Sequence, residues 1–244
     1  MYLILLSDIH ANLEALTSVL KDIKDKNLSK YRFCILGDVI NYGVHTNEVL
    51  EELKAIEPIT EVLLAGNHEM AFLGIEDNRF SSQRGKDALN IIKDNISIEN
   101  SNYIKNIFTK SFVSKIIDGK KYLFIHGSLD DIFWGTINPS NINENLYKEY
   151  DVVFSGHSHK PHFFEIFYKD ENSQLKERKK TIFINPGSVG QPRNLDNSSQ
   201  YAIFDTLTNN IQFCKVSYDI KKEQEAYKNY NIDKYYKDRL EKGV

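Results

Sequence analysis

The sequence predicts an α/β fold with sheets inside and helices outside. The 244 residues, of which 41% are hydrophobic and 27% charged, suit a globular chain that is long enough to bury a core. Short apolar segments alternate with amphipathic segments in the first part of the chain, and this spacing is typical of a parallel sheet built from strand–helix–strand units. The second half carries several short strand-like segments, which predict further, mostly antiparallel, sheet.

The first part of the chain predicts three strands and two helices in alternation. Apolar residues recur in steps of three or four between Leu13 and Ile23, with polar residues between them, which predicts an amphipathic helix. A second helix is expected over Thr46–Ile56, where Pro58 prevents its continuation. The predicted strands are residues 2–8, 31–36 and 61–65.

The rest of the chain predicts helices in the middle and short strands beyond it. Helical structure is expected over 81–110 and 141–150, and an exposed hairpin tip over 169–180. The predicted strands are residues 111–117, 121–125, 152–154, 162–168, 181–184, 201–204 and 211–216. With no internal repeat or low-complexity linker, we expect one domain over 1–244, in which 221–244 form a helical C-terminal extension.

Composition excludes several classes of protein. A net charge of −3 gives the chain no overall attraction to nucleic acid or to an anionic membrane. Two cysteines cannot form a disulfide framework, which fits a reducing compartment. No run approaches the about 18 apolar residues that a membrane helix needs. The opening MYLILLS lacks a charged leader and a cleavage site, so we expect a cytoplasmic protein.

Polar side chains follow the carboxyl ends of several predicted strands. They are Asp8, His10, Asp38, Asn67, His68, His126, His157 and His159. Each alone has an ordinary interpretation as a helix cap or a turn. Together they predict a site, because the carboxyl edge of an open α/β sheet is where ligands bind. The other two histidines, His45 and His162, are interpreted as ordinary surface or loop residues.

The residue types at these positions favour a metal centre. Carboxylate, amide oxygen and imidazole without thiolate suit divalent Mn, Fe, Zn, Ni or Co. The candidate ligands are too numerous for a single metal ion. Their number suits two ions that share a bridging carboxylate. Two ions roughly 3.5–4 Å apart clamp the attacking and leaving oxygens of a phosphoryl displacement.

The blocks D-I-H, G-D-V-I-N-Y-G, G-N-H-E, H-G and G-H-S-H, read in order, resemble the signature of the calcineurin-like metallophosphoesterase superfamily. The resemblance runs from the first strand to about Phe204. GDVINYGVHTNEVL and INPGSVGQPR resemble in particular its small bacterial and archaeal phosphodiesterase-like branch. The resemblance implies a four-layer αββα sandwich, with two mixed β-sheets flanked by helices and a dinuclear centre at one end.

The resemblance also implies a role for each candidate residue. The first metal would be held by Asp8, His10 and His159, the second by Asn67, His126 and His157, and Asp38 would bridge both. His68 would not bind metal but would act as general acid or stabilise charge on the phosphoryl oxygens, with Glu69 orienting it. Manganese is the favoured metal. Glycines 37, 66, 127 and 156 adjoin these ligands, where a close backbone approach excludes a Cβ.

Substrate contacts are expected from fewer residues. Arg193 is a candidate phosphate contact through its planar guanidinium, with surface pairing as the alternative. Tyr42 is expected either to line the mouth of the site or to pack structurally. Relatives often carry an arginine after the His-Gly block and a second one after the position of Arg193, whereas this chain has neither in 128–131 or 194–200. We therefore expect weaker binding of extended polyphosphates.

The predicted function is hydrolysis of a small phosphoester or nucleotide substrate, in which a metal-bridging hydroxide attacks phosphorus. Phosphodiesters are the first choice and phosphomonoesters the second. The alternatives are a catalytically silent scaffold on the same fold, a dinucleoside polyphosphate hydrolase and a protein Ser/Thr phosphatase. Intact candidate ligands and His68 favour an enzyme over a scaffold. No arginine follows the early metal blocks before Arg79, which disfavours the Ser/Thr phosphatase. The basic run 176–180 suits a solvated turn, so stable binding of nucleic acid is not expected.

Overall fold

The computed structural model describes residues 1–76, 79–80, 82–169 and 179–244, and its strands form two five-stranded sheets. The strands are β1 (Tyr2–Leu6), β2 (Tyr31–Ile35), β3 (Thr60–Leu63), β4 (Phe112–Ile117), β5 (Lys120–Ile125), β6 (Val152–Ser155), β7 (His162–Phe167), β8 (Lys180–Asn185), β9 (Ser199–Asp205) and β10 (Ile211–Val216). The helices are α1 (Leu13–Asp25), α2 (Thr46–Ile56), α3 (Asn67–Phe72), α4 (Gln83–Asn95), α5 (Ile98–Ile107), α6 (Ile220–Ala226) and α7 (Lys234–Asp238).

Both sheets are mixed, as predicted. The first has the order β10-β9-β1-β2-β3. In it β1, β2 and β3 run parallel to one another, β9 pairs antiparallel to β1, and β10 pairs antiparallel to β9. The second has the order β4-β5-β6-β8-β7. Its edge strands β4 and β7 are antiparallel to their neighbours, while its central pairings, β5 with β6 and β6 with β8, are parallel. The strand pairings in the second half of the chain are therefore mostly antiparallel, as predicted. Helices flank the sheets, and the predicted α/β class is confirmed.

Alternate residues of β1 face two different apolar layers, because successive side chains of a strand point to opposite faces. Leu3 and Leu5 lie in the layer between the two sheets. That layer also contains Cys34, Tyr122, Phe124, Phe154, Ile184 and Phe204. Ile4 and Leu6 face the other way, where apolar residues of α1 and α2 cover the first sheet. The sandwich therefore fixes β1 from both sides, along with the loop that follows it.

The helix predicted over 141–150 is wrong. The segment contains a single 3-10 turn, Glu144–Leu146, between irregular turns. The backbone N–H groups of Leu146, Tyr147 and Tyr150 donate to carbonyls three residues back, as in separate turns. The carbonyls of Tyr147 and Tyr150 also accept from the Thr181 hydroxyl, at 3.2 and 2.6 Å. Both tyrosines are buried against the outer face of the second sheet. Tertiary contacts of these side chains thus override a local helical preference.

The structure refines two other predicted segments. The helical stretch over 81–110 is two helices, because the Ser97 hydroxyl accepts from Asn100 N at 3.1 Å and begins α5. Residue 81 lies outside the described residues, as do 170–178 of the predicted hairpin tip at 169–180. The strands that this tip joins, β7 and β8, pair antiparallel. No helix in the described part of the chain has the length and apolar character that a membrane crossing requires.

The C-terminal tail packs against α1 and α4. It contains α6, α7 and two 3-10 turns, Tyr227–Asn229 and Arg239–Glu241. Tyr227, Tyr236 and Leu240 are buried together with Ala88 of α4. The tail is thus a folded part of the structure, in agreement with its predicted helical character.

His45 anchors this tail, which corrects its interpretation as an ordinary surface residue. Its Nδ1 lies 3.1 Å from both carboxylate oxygens of Glu223, a fully buried residue of α6. The backbone N–H of Glu14 also donates to Glu223, at 3.3 Å. A buried carboxylate needs such partners, since an unpaired one is costly.

This pair predicts a pH-dependent contribution to stability. The hydrogen bond to Glu223 raises the pKa of His45, so the pair stabilises the fold below the ordinary histidine pKa and loses this contribution as pH rises through the raised value. We expect His45→Gln to lower the free energy of unfolding by about 1 kcal/mol at about pH 6, and by less at about pH 9. Urea unfolding at both pH values measures this. Glu223→Gln is the control, which should abolish the pH dependence, and an equal loss at both pH values would contradict the account.

Candidate metal centre

Loops that follow five strands bring the predicted polar residues to one place. They are Asp8 and His10 after β1, Asp38 after β2, Asn67 and His68 after β3, His126 after β5, and His157 and His159 after β6. All are buried except His157, which is partly buried. The parallel strands of both sheets therefore converge on a single polar centre.

Four of these residues form a first cluster. Single ligand atoms of Asp8, His10, Asp38 and His159 all lie within 4.8 Å of one another. The Nε2 atoms of His10 and His159 are 3.1 Å apart, and Asp8 Oδ1 is 3.3 Å from His159 Nε2. This spacing suits a single metal ion.

A second cluster shares one carboxylate with the first. It contains Asp38, His126 and His157, whose ligand atoms again lie within 4.8 Å of one another. Asp38 Oδ2 is 3.3 Å from His126 Nε2. The side-chain oxygen of Asn67 lies 3.1 Å from His126 Nε2 and 3.1 Å from His157 Nδ1. Asp38 thus lies between the two clusters.

The hydrogen bonds of the histidines aim lone pairs into the centre. Nδ1 of His10, His126 and His159 lies 3.2, 2.7 and 2.6 Å from the backbone oxygens of Ile40, Leu36 and Gln191. A carbonyl oxygen only accepts, so in each neutral ring Nδ1 carries the proton and Nε2 presents a lone pair. The facing Nε2 lone pairs of His10 and His159 repel each other unless a cation lies between them. Histidine metal ligands commonly have this outer hydrogen bond to a carbonyl.

The electrostatics of the buried groups fit a cation as well. Neither carboxylate oxygen of Asp8 has a hydrogen-bond partner within the described ranges. Burial raises the pKa of Asp8 to about 7 and lowers the pKa of His10 and His159 well below the ordinary value. The imidazoles of His10 and His159 are therefore neutral, which is the form that binds metal, and a dication would restore the charged form of Asp8. His126 differs, because the effect of burial is outweighed by the Asp38 carboxylate, which raises the pKa of His126 to about 9, so a bound metal would displace its proton. The residues present fit a divalent metal.

Backbone strain concentrates at this centre. Five of the candidate ligands have a left-handed backbone conformation with φ between 48° and 63°. They are Asp8, His10, Asp38, His157 and His159. Such conformations cost an ordinary residue roughly 1–3 kcal/mol and persist where the surrounding structure imposes them, typically at functional sites.

Glycine is required beside the shared carboxylate, as predicted. A Cβ on Gly66 would lie 2.1 Å from Asp38 Oδ1, and one on Gly37 would lie 2.6 Å from Gly66 N. Gly37 also has a φ of +97°. The loops that follow β2 and β3 therefore lie so close together that the Asp38 carboxylate fills the space that a side chain at position 66 would need.

Glu69 supports Asp38 and does not orient His68, which corrects the expectation from the sequence. Its carboxylate accepts from four backbone N–H groups that enclose it. These belong to Asp38 at 2.9 Å, Val39 at 2.8 Å, Ile40 at 3.0 Å and Gly66 at 2.7 Å. Glu69 thus holds the loop that carries Asp38 against the start of α3.

The partner of His68 is Asn41, which the sequence did not single out. The Asn41 side-chain oxygen accepts from Tyr42 N at 2.7 Å, so its amide nitrogen faces His68 Nδ1 at 2.8 Å. Nδ1 is therefore the acceptor and Nε2 carries the proton, 3.9 Å from Asp38 Oδ2. Burial lowers the pKa of His68 to about 4, which favours this neutral ring. The only signal in the sequence is the place of Asn41 within the G-D-V-I-N-Y-G block.

Tyr42 packs between the candidate centre and the C-terminal tail. Its ring centroid lies 4.7 Å from that of His10 and 4.4 Å from that of His68, so it borders the centre. On its other face it stacks on Tyr236 of the tail at 4.6 Å. Tyr42 thus connects the metal centre to the C-terminal tail.

Two cavities flank the centre, and Arg193 lines both. One, of about 430 Å³, also contains His157, Lys160 and His162. His162 is the first residue of β7 and has a buried Nε2, so its interpretation as a surface or loop residue is wrong. The other cavity, of about 360 Å³, contains Tyr42 and residues of the tail. Arg193 therefore lies between the two cavities.

Comparison with known proteins agrees with the resemblance seen in the sequence. The family model of the calcineurin-like phosphoesterase superfamily domain matches residues 1–209. An uncharacterized protein of Methanocaldococcus jannaschii is 34% identical over 242 residues, which cover 96% of this chain and 95% of that protein.

Solved structures show the same architecture. A metallophosphoesterase from Sphaerobacter thermophilus matches with a TM-score of 0.78 and 27% identity, over 100% of both chains. A hypothetical protein of Pyrococcus horikoshii OT3 matches with a TM-score of 0.83 and 19% identity, over 100% of this chain and 98% of that one. The second likeness concerns the fold alone.

Proposed function

Because the chain belongs to the calcineurin-like phosphoesterase superfamily, we propose that it is a dinuclear-metal hydrolase of small phosphodiesters. The observation that carries the proposal is the position of Asp38 in both ligand clusters. The first metal is held by Asp8, His10, Asp38 and His159, and the second by Asp38, Asn67, His126 and His157. Manganese is the favoured ion, and the nitrogen and oxygen donors also suit Fe, Zn, Ni or Co.

The metal ions and the surrounding side chains have different roles in the proposed reaction. When bound, two divalent ions polarise the phosphoryl group and lower the pKa of the attacking water. Arg193, which lines both cavities, orients the substrate between them through its guanidinium. Tyr42 excludes water from one side of the reacting group.

His68 acts as a fixed hydrogen-bond donor. The Asn41 amide bonded to Nδ1 leaves the Nε2 proton to donate to a phosphoryl oxygen, where negative charge develops during attack. Of the two roles that the sequence left open, this geometry favours stabilisation of charge over general acid catalysis. A general acid would need a proton at Nδ1 as well, where the amide of Asn41 already donates.

We also propose that residues 1–244 form one domain. The support is the stacking of Tyr236 on Tyr42, which makes the tail part of the wall beside the metal centre. Truncation of the tail would therefore alter the site and not only the stability of the chain.

A panel of aryl esters tests the proposed reaction. We expect chelator-treated protein to be inactive and to regain activity with Mn²⁺, at a higher kcat/KM for bis(p-nitrophenyl) phosphate than for p-nitrophenyl phosphate. A higher value for the monoester would reassign the substrate class to phosphomonoesters. Absence of metal-dependent hydrolysis of either ester would favour the scaffold alternative.

A further inference from the structure

Three arginines from distant parts of the chain line the cavity of about 360 Å³ beside the metal centre. They are Arg84 of α4, Arg193 after β8, and Arg239 of the last 3-10 turn. The other lining residues are Tyr42, Ser82, Tyr235 and Tyr236. Among the described residues, the lining thus combines guanidinium groups with hydroxyl groups and includes no carboxylate.

Arg239 is held in place although it is almost fully buried. Its side chain is 7% exposed, its Nε donates to the backbone oxygen of Val244, and its guanidinium lies 5.0 Å from the centroid of Tyr235. Burial and the nearby charge of Arg193 lower the pKa of Arg239 to about 10. A cation that is desolvated beside another cation requires an anion to offset its cost.

The protein itself supplies little of that negative charge. Among the side-chain carboxylates of the described residues, only that of Asp233 lies at ion-pair distance from one of the three, with its Oδ2 3.9 Å from Arg84 Nε. Arg239 has the oxygen of Val244, the last residue of the sequence, as the partner of its Nε. Arg193 has a buried Nε without a hydrogen-bond partner among the described residues. The tail carboxylates Asp233 and Asp238 line a neighbouring cavity of about 250 Å³, which Arg84 and Arg239 also line, and they do not line the cavity that contains Arg193. Within the described ranges, each of the three guanidinium groups therefore has donors without a protein hydrogen-bond partner.

The cavity adjoins the reaction centre. Tyr42 forms its inner wall and touches His10 and His68 with the same ring. Arg193 lines this cavity as well as the one that contains His157. A substrate whose scissile phosphoryl group lies at the metals would extend a neighbouring group directly among the arginines.

We propose that Arg84, Arg193 and Arg239 bind a second phosphate group of the substrate, so that the enzyme prefers phosphodiesters that carry an additional phosphate. Planar guanidinium groups and hydroxyls are the donors that bind phosphate best. The proposal rests on the proposed phosphoesterase function. It also reverses the expectation of weak polyphosphate binding, because the tail supplies the arginine that the sequence after Arg193 lacks.

Matched substrates test the preference. One substrate is the p-nitrophenyl ester of thymidine monophosphate. The other is the same ester with an additional phosphate on the remaining hydroxyl of the deoxyribose. We expect the second to have a KM about tenfold lower in the wild-type, Mn²⁺-loaded enzyme. Arg239→Gln should bring the ratio of the two KM values close to one, and Arg239→Lys should retain part of it. Lys242→Gln, an exposed cation outside this cavity, is the matched control and should keep the full ratio.

Binding of inorganic pyrophosphate to metal-free protein is the second readout. In excess chelator, calorimetry should show binding to wild type that is at least about tenfold weaker in Arg239→Gln and weaker in Arg84→Gln. If Arg239→Gln fails to fold, the pyrophosphate affinity of Arg84→Gln tests the subsite instead. The Arg84 side chain is 48% exposed, so its replacement should leave the fold intact. Equal KM values in wild type, or pyrophosphate affinity unchanged in the folded variants, would overturn the subsite. Failure to cleave either ester, with pyrophosphate still bound, would instead refute the proposed reaction.

Discussion

His68→Ala is expected to lower kcat about a hundredfold to a thousandfold, the usual loss when one donor to a developing oxyanion is removed. The physical reason is that Nε2 of His68 holds a proton beside the centre, while Asn41 fixes the ring through Nδ1. Two metal ions should still bind each chain, because His68 is not among the proposed ligands. Steady-state kinetics with Mn²⁺-loaded protein, together with metal analysis of the same samples, measures both quantities.

The leaving group distinguishes the two roles of His68. If the side chain stabilises charge on a phosphoryl oxygen, the loss of kcat should be similar for an aryl and an alkyl leaving group. A much larger loss with the alkyl ester would indicate general acid catalysis, because only the poor leaving group needs a proton. Asn41→Ala is the companion variant, expected to lower kcat by about tenfold with metal content unchanged. Full activity of His68→Ala would remove its catalytic role.

Asp38→Asn is expected to abolish binding of both metals and to reduce kcat/KM by at least about a hundredfold, since even indirect changes to metal sites cost 10–100-fold. The reason is that Asp38 is the one carboxylate that belongs to both clusters. Asp8→Asn is the matched variant, because Asp8 belongs to the first cluster alone. It should retain one metal per chain. Equilibrium dialysis against Mn²⁺ compares the three proteins, and equal metal loss in the two variants would contradict the assignment of Asp38 as the shared ligand.

Much of the centre could be predicted because its signals are local. Each candidate ligand lies within four residues of a strand end, as Asp8 does after β1 and His126 does after β5, and the topology of the sheets then brings these positions together. The first three strands and their parallel arrangement could also be predicted, since each strand is a short apolar run. The sequence thus predicts these strands and candidate ligands correctly, because each is marked by a few neighbouring residues.

The parts that could not be predicted depend on contacts between distant segments. The side chains of Tyr147 and Tyr150 are buried against the second sheet, where residues 144–150 form turns instead of a helix, and no local pattern shows this. Asn41 meets His68 only because the β2 and β3 loops touch. Arg239 reaches the site because the tail folds back onto Tyr42. The charged tail carries no motif that marks such a role.

A metal titration tests the central claim most directly. Metal-free protein is titrated with Mn²⁺ while hydrolysis of bis(p-nitrophenyl) phosphate is followed and bound metal is measured in parallel. The dinuclear account predicts that the rate reaches its plateau at two equivalents of metal per chain, because both clusters must be filled around Asp38. A plateau at one equivalent, full activity in the metal-free protein, or two bound ions without any hydrolysis would contradict it.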